Sequence, residues 1–243
     1  MTESNKPTKT IGIIGGAGVA ATNTLHALIE EELTRKRAFL DAHHPQIITF
    51  YATQVPSRSL FLEGRGKDFT HDYIEIGKKL KLMGAQAICM CCNTAHYSFD
   101  IIQESIQMKM LNLIEAIAVL VKKSNVHSVG LIASEGCLKG RVYERYLERI
   151  CPNVRIVYPD LEFQNKVTQG ICNIKNYHRF DTFDSKERPR NLFQSVKEHL
   201  VAGGGAEKVI IGCTDIRVDY MDKDNIDSLE VLKDLIIKEA FNE

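Results

Sequence analysis

The sequence predicts an α/β protein made of two pseudo-symmetric three-layer lobes with mostly parallel sheets and a site at the interface between them. Three observations carry this expectation. Short apolar runs of strand length alternate with segments of helical periodicity along the whole chain, the pattern of parallel strands joined by crossover helices. Two stretches repeat each other: Gly84-Ala85-Gln86-Ala87-Ile88-Cys89-Met90-Cys91-Cys92 and Gly205-Ala206-Glu207-Lys208-Val209-Ile210-Ile211-Gly212-Cys213. In both, a Gly-Ala pair leads into an apolar run that closes on a cysteine at the same offset. Upstream of each lies a second echo, Thr10-Ile11-Gly12-Ile13-Ile14 and Ser128-Val129-Gly130-Leu131-Ile132. Two halves of nearly equal length therefore open on the same strand and end on a strand tipped by cysteine. The expected division is residues 1–108 plus 217–243 for a first lobe completed by the C-terminal helix, and 109–216 for the second.

The elements follow in order. Residues 11–14 form an apolar strand bounded by glycines. Residues 22–39 place Leu25, Leu28, Ile29 and Leu33 on one face, hence an amphipathic helix. A strand over 47–51 precedes a helix over 68–83 containing Tyr73, Ile76, Leu80 and Met83. The first cysteine strand spans 87–91, with a helix starting near Asn93 or Thr94, both good N-cap types. Residues 110–113 are a short apolar run and 115–123 a helix. In the second half, 129–133 is a strand, 139–150 a helix with Val142, Tyr146 and Ile150 inward, and 154–158 a strand after Pro152. Residues 161–174 are helical, 176–189 mostly loop, and 191–201 helical up to Gly203-Gly204-Gly205. The second cysteine strand spans 209–212, and a helix over 229–241 closes the chain.

Composition narrows the function. With 243 residues and 44% hydrophobic content, the chain can bury a substantial core. Lysine and arginine together number 31, as do the acids, so no basic excess points to nucleic acid or an anionic membrane. Residues 2–10 carry no apolar signal core and no run reaches bilayer-spanning length, so a cytoplasmic location is expected. Seven cysteines cannot all pair within the chain, which favours free thiols in a reducing compartment. Cys89, Cys137, Cys151 and Cys172 read as small buried hydrophobes.

In a doubly covered parallel sheet the site lies at the carboxyl ends of the strands, where Cys92 and Cys213 both fall. Cys92 also precedes a helix N-terminus, which stabilises a thiolate. Two thiols on opposite faces of one carbon can invert it: one removes the Cα proton as thiolate, the other returns a proton as thiol. Such chemistry asks for neither metal nor pyridoxal phosphate, and no cofactor is expected. The run Gly16-x-Gly18-x-x-Ala21 satisfies a loose dinucleotide fingerprint, but the strand over 47–51 lacks the supporting acid. Backbone N–H groups there suit a small carboxylate instead. Zinc bound by Cys89, Cys91, Cys92 and Cys213 is disfavoured by the Cys-x-Cys-Cys spacing. A structural role, or a redox pair, stays open at this level.

Cys92-Asn93-Thr94-Ala95-His96 and Gly212-Cys213-Thr214, with the opening Gly12-Ile13-Ile14-Gly15-Gly16-x-Gly18, closely resemble the aspartate/glutamate racemase family. The likeness runs from about Thr10 to Leu232 and includes Val55-Pro56-Ser57-Arg58 and Ile226-Asp227-Ser228. It implies a cofactor-independent racemase of a small acidic amino acid, a homodimer, with Cys92 and Cys213 as paired acid and base. Asn93, Thr94 and Thr214 would bind substrate. Arg58 would hold a substrate carboxylate through its planar fork, with Lys175, Gln54 and Ser134 as further pocket residues. Gly16, Ala17, His96 and Asp215 would support the site.

Three positions depart from the family pattern. Ala17 and Val19 stand where methionine and proline are usual, and Asp215 where glutamate is usual. Ala17 leaves more room beside the substrate, and Asp215 is one methylene shorter. Relatives of this architecture that decarboxylate or isomerise diacids or hydantoins, and a non-catalytic amino-acid-binding protein, are the alternatives.

Overall fold

The computed structural model describes residues 6–176 and 186–242. Two four-stranded sheets carry the fold, parallel throughout among these residues. The first contains β1 (Ile11–Gly15), β2 (Ile47–Tyr51), β3 (Ala87–Met90) and β4 (Met110–Leu111), in the order β2-β1-β3-β4. The second contains β5 (Ser128–Ile132), β6 (Arg155–Val157), β7 (Lys208–Ile211) and β8 (Ile226–Asp227), in the order β6-β5-β7-β8. The internal repeat in the sequence is thus a repeat of topology, with β1 matched by β5 and β3 by β7.

Both central strands are fully buried because each sheet is covered on two faces. Helices α1 (Val19–Arg35), α3 (Thr70–Leu82), α4 (Phe99–Ile106), α5 (Leu113–Ser124), α8 (Leu161–Lys175), α9 (Pro189–Glu198) and α10 (Ser228–Phe241) supply the covering layers. One core, from Ile14, Tyr73, Ile88 and Phe99, lies between the first sheet and α3 and α4. Another, from Ile132, Val167, Phe193 and Ile211, lies between the second sheet and α8 and α9. The largest joins the two halves, bringing Ile13 and Leu25 together with Ile117, Leu131, Tyr143 and Ile236.

The last strand of each sheet is where the chain changes lobe. Asn112 caps α5 by accepting from the Glu115 N–H (3.0 Å), and Asp227 caps α10 by accepting from Leu229 N–H (2.8 Å). α5 then packs against α7 (Glu144–Ile150), whereas α10 packs on α1 and is tied by the Lys9–Glu239 ion pair to the segment entering β1. Residues 110–111 and 226–227 accordingly pair with the sheets that precede them.

Several local expectations need correction. The expected helix over 139–150 is two pieces, α6 (Glu135–Lys139) and α7, because Gly140 and a left-handed Arg141 (φ 48°) turn the chain. That turn sends Val142 and Tyr143 into the shared core. Met83 is 63% exposed, since it caps the end of α3 beyond its buried stripe. The helix after Cys92 begins as a 3-10 turn over Thr94–Ser98 before α4. A helix not expected at all, α2 (Arg58–Leu62), is capped by Ser57, which accepts from Leu60 N–H (3.3 Å). Of the loop expected over 176–189, residues 177–185 lie outside the described residues, and Pro189 already opens α9.

Candidate active site

The two repeats converge. Cys92 leaves β3 and Cys213 leaves β7, and both line a single cavity of about 260 Å³ between the lobes. Around them stand Ala17, Arg58, Asn93, Thr94, Ser134, Lys175, Thr214 and Asp215. The same wall of Ala17, Arg58, Lys175 and Asp215 separates this cavity from a second recess of about 440 Å³ over the start of α1, which Gly16 also lines. Gln54 does not join them: it is exposed, at the tip of the loop after β2, and lines neither space.

The turn after Cys92 is held from both sides. His96 is fully buried and stacked on Phe99. Its Nε2 accepts from Leu113 N–H (3.3 Å), so Nδ1 carries the proton and donates to the Cys92 carbonyl (2.9 Å). Burial lowers its pKa to about 4, keeping the ring neutral in that tautomer. His96 therefore sits behind the cavity as the brace of Cys92. The Asn93 side chain is spent within the protein: Nδ2 donates to Ser228 Oγ at the start of α10 (3.1 Å), and Oδ1 accepts from the Tyr143 hydroxyl of the other lobe (2.7 Å). Only its backbone is left for a ligand. Thr94 Oγ1 and Ser134 Oγ lie 3.2 Å apart across the lobes, and Ser134 also caps α6. Thr214 Oγ1 donates to the Cys91 carbonyl (3.4 Å), tying the two cysteine turns together.

The charges divide the cavity. Arg58 donates from Nη2 to the Ala17 carbonyl and from Nη1 to the Pro56 carbonyl, each at 3.1 Å. Burial opposes its charge, but Cys92, Tyr73 and Asp215 outweigh burial and raise its pKa. Lys175 Nζ pairs with Asp215 Oδ2 at 3.1 Å. Burial, then the Asp215 carboxylate, pushes the Cys213 thiol up to about 12, against the pull of Lys175 and of the Asp215 backbone N–H. Cys213 is consequently a thiol at neutral pH. Asp215 Oδ1 has no hydrogen-bond partner among the described residues and lies 2.2 Å from where a Cβ on residue 18 would stand. Gly18 thus leaves the space the carboxylate fills.

The sequence did not single out the rest of the cavity wall: Ser59, Leu60, Glu63 and Arg65 from α2 and its exit, and Glu135, Thr168, Ile171 and Cys172 from α6 and α8. Ser57 followed by a helix-compatible run was the available signal for α2. Cys172 in particular is exposed toward the cavity rather than a buried hydrophobe. It lies on the same stripe of α8 as Thr168 and Lys175, a spacing legible in the sequence once Lys175 is placed. Among the described residues, no group of three or more His, Cys, Asp or Glu side chains is placed to hold a metal ion. None of their helices is long and apolar enough to cross a membrane.

Half-sites at the tips of two equivalent sheets define a two-lobed α/β fold class with one site between related halves. The chain belongs to the Asp/Glu/hydantoin racemase family, whose model matches residues 11–232. It is 24% identical over 212 residues to the broad specificity amino-acid racemase RacX of Bacillus subtilis, covering 85% of each chain. The aspartate racemase of Picrophilus torridus superposes with a TM-score of 0.75 at 26% identity, covering 96% of this chain and 94% of that one. A glutamate racemase isoform of Bacillus anthracis shares the fold at a TM-score of 0.64 and 18% identity, with 96% and 82% covered.

Proposed function

We propose that this protein is a cofactor-independent amino-acid racemase that inverts Cα between Cys92 and Cys213. The observation that carries the reading is that these two cysteines, one from each lobe, line the same cavity at the ends of topologically equivalent strands. The Cys92 thiolate, beside the Arg58 guanidinium, takes the Cα proton. The Cys213 thiol gives its proton to the opposite face of the carbanion, which restores the C–H bond with inverted configuration. The two sulfurs end with their protons exchanged, and turnover of the other enantiomer runs the same steps in reverse. Holding Cys213 as a thiol is what a proton donor needs.

The substrate α-carboxylate finds its cation in Arg58 and N–H groups in the turns after Cys92 and Cys213. The family resemblance further implies an acidic side chain, aspartate or glutamate. Its second carboxylate would have to draw Lys175 away from Asp215, so the cavity supports the inversion more directly than it supports a diacid.

The test is proton NMR of L- and D-amino acids with the protein in D₂O, together with polarimetry. Loss of the α-proton signal should accompany loss of optical activity without added cofactor. Cys92→Ser and Cys213→Ser should each abolish racemisation. Parental rates in both variants would refute the assignment.

A further inference from the structure

Three cations and three carboxylates of the described residues line the cavity: Arg58, Arg65 and Lys175, and Glu63, Glu135 and Asp215. Four of these neutralise each other in pairs, Arg65 with Glu63 and Lys175 with Asp215. Arg58 is left as a cation without a carboxylate partner, placed beside Cys92. Glu135 is left as a carboxylate without a cation; it accepts only from Thr168 Oγ1 (3.1 Å).

The two lie at different ends of one groove. On α8, Thr168, Ile171, Cys172 and Lys175 follow at helical spacing and line the cavity as a single stripe. Lys175 marks the end at Cys213 and Asp215, and Thr168 the end at Glu135. Between them the wall is apolar, from Ile171 and Cys172, with Leu60 of α2 also facing the cavity. Two turns of helix separate the ends by roughly 10 Å. Aspartate and glutamate side chains are both too short for that span, and either would turn a carboxylate toward that of Glu135. An amino acid with three or four methylenes and a terminal amine fits the length, the apolar middle and the charge at the far end.

We propose that Glu135 is a specificity-determining residue and that the preferred substrates are diamino acids of the ornithine and lysine type. This rests on the racemase reading and names its substrate class. The α-carboxylate goes to Arg58, the methylenes lie along Ile171 and Cys172, and the terminal ammonium donates to the Glu135 carboxylate. A charge-assisted hydrogen bond at the half-buried Glu135 discriminates by losing its partner when the wrong side chain binds.

The experiment measures α-proton exchange in D₂O for ornithine, lysine, norleucine, aspartate and glutamate with the parent protein, Glu135→Gln and Glu135→Lys. The parent should show a higher kcat/KM for lysine than for norleucine, its nearest uncharged analogue, and for both acidic substrates. Glu135→Gln should reduce the lysine-to-norleucine ratio by roughly tenfold to a hundredfold, chiefly through KM. Glu135→Lys should reverse the order of lysine and glutamate. An unchanged ratio in Glu135→Gln, or faster exchange of aspartate or glutamate than of either diamino acid in the parent, overturns the inference and leaves the racemase reading standing. Absence of exchange with every substrate overturns the racemase reading itself.

Discussion

Lys175 Nζ lies 3.1 Å from Asp215 Oδ2, and this ion pair sits beside Cys213 at the wall shared by the two cavities. It joins the last turn of α8 to the turn after β7, so the charge state of one cysteine is coupled to the end of a helix. Asp215 raises the Cys213 thiol and Lys175 lowers it. Asp215→Asn removes the raising charge and frees the lysine, and both effects act in one direction. The Cys213 thiol pKa should therefore fall below about 12, measurable from the ultraviolet absorbance of the thiolate in a Cys92→Ser background. The same variant should raise kcat/KM for glutamate relative to lysine, because Lys175 becomes available to a second carboxylate.

Alkaline stability should be governed by buried thiols. Burial raises Cys89, Cys91 and Cys137 above their ordinary value in the folded protein. An unfolded cysteine titrates near 8.5. Below that pH both states carry the proton and the contribution to stability is complete. Above it the unfolded state loses protons that the folded state keeps, so stability falls as pH rises. Urea midpoints should decline from about pH 8.5 upward. Cys89→Ala, which removes one buried thiol without opening a large cavity, should make that decline shallower.

His96 should control the acid side. Its folded pKa is about 4, below the unfolded value of 6.5. Its contribution is complete above 6.5 and is lost as pH falls toward 4, because the unfolded ring gains a proton that the buried ring resists. His96→Ala should cost about 2–4 kcal/mol at neutral pH, from a cavity and two lost hydrogen bonds, and should flatten the dependence of stability on pH between these values. Chemical denaturation at several pH values reads both effects. Racemisation should drop as well, since the Cys92 carbonyl loses its brace.

Gly136 should prove sensitive for steric reasons. Its N–H donates to Ser59 Oγ (3.0 Å), and a Cβ there would stand 2.4 Å from Ser59 Cα. Real contacts do not close that far, so Gly136→Ala must push α2 away from α6. Because α2 carries Arg58, KM should rise several-fold while thermal stability falls by about 1–3 kcal/mol. Steady-state kinetics and a melting curve distinguish this from a purely catalytic defect.

The legibility of the chain varied with the range of the interaction. The helix over Val19–Arg35 and both cysteine strands could be placed because their apolar periods are local and strong. The kink at Gly140–Arg141 could not, because it is imposed by packing: Tyr143 must reach Asn93 in the other lobe. Nor could the environment of Cys172, which is exposed although the cysteines at 89, 91, 92, 137 and 151 are buried. Burial at one helical position depends on what faces it from elsewhere in the chain.

By itself the sequence determined the repeat, the alternation of strands and helices that makes the sheets parallel, and the two cysteines at equivalent strand ends, since all three are written in residue order and spacing. Only the tertiary structure decided which charges remain free in the cavity. Lys175 meets Asp215, Arg65 meets Glu63, and Glu135 meets no cation among the described residues. Lys175–Asp215 joins α8 to the turn after β7 and Thr168–Glu135 joins α8 to α6, and such contacts between distant segments are settled by distance in space rather than by position along the chain.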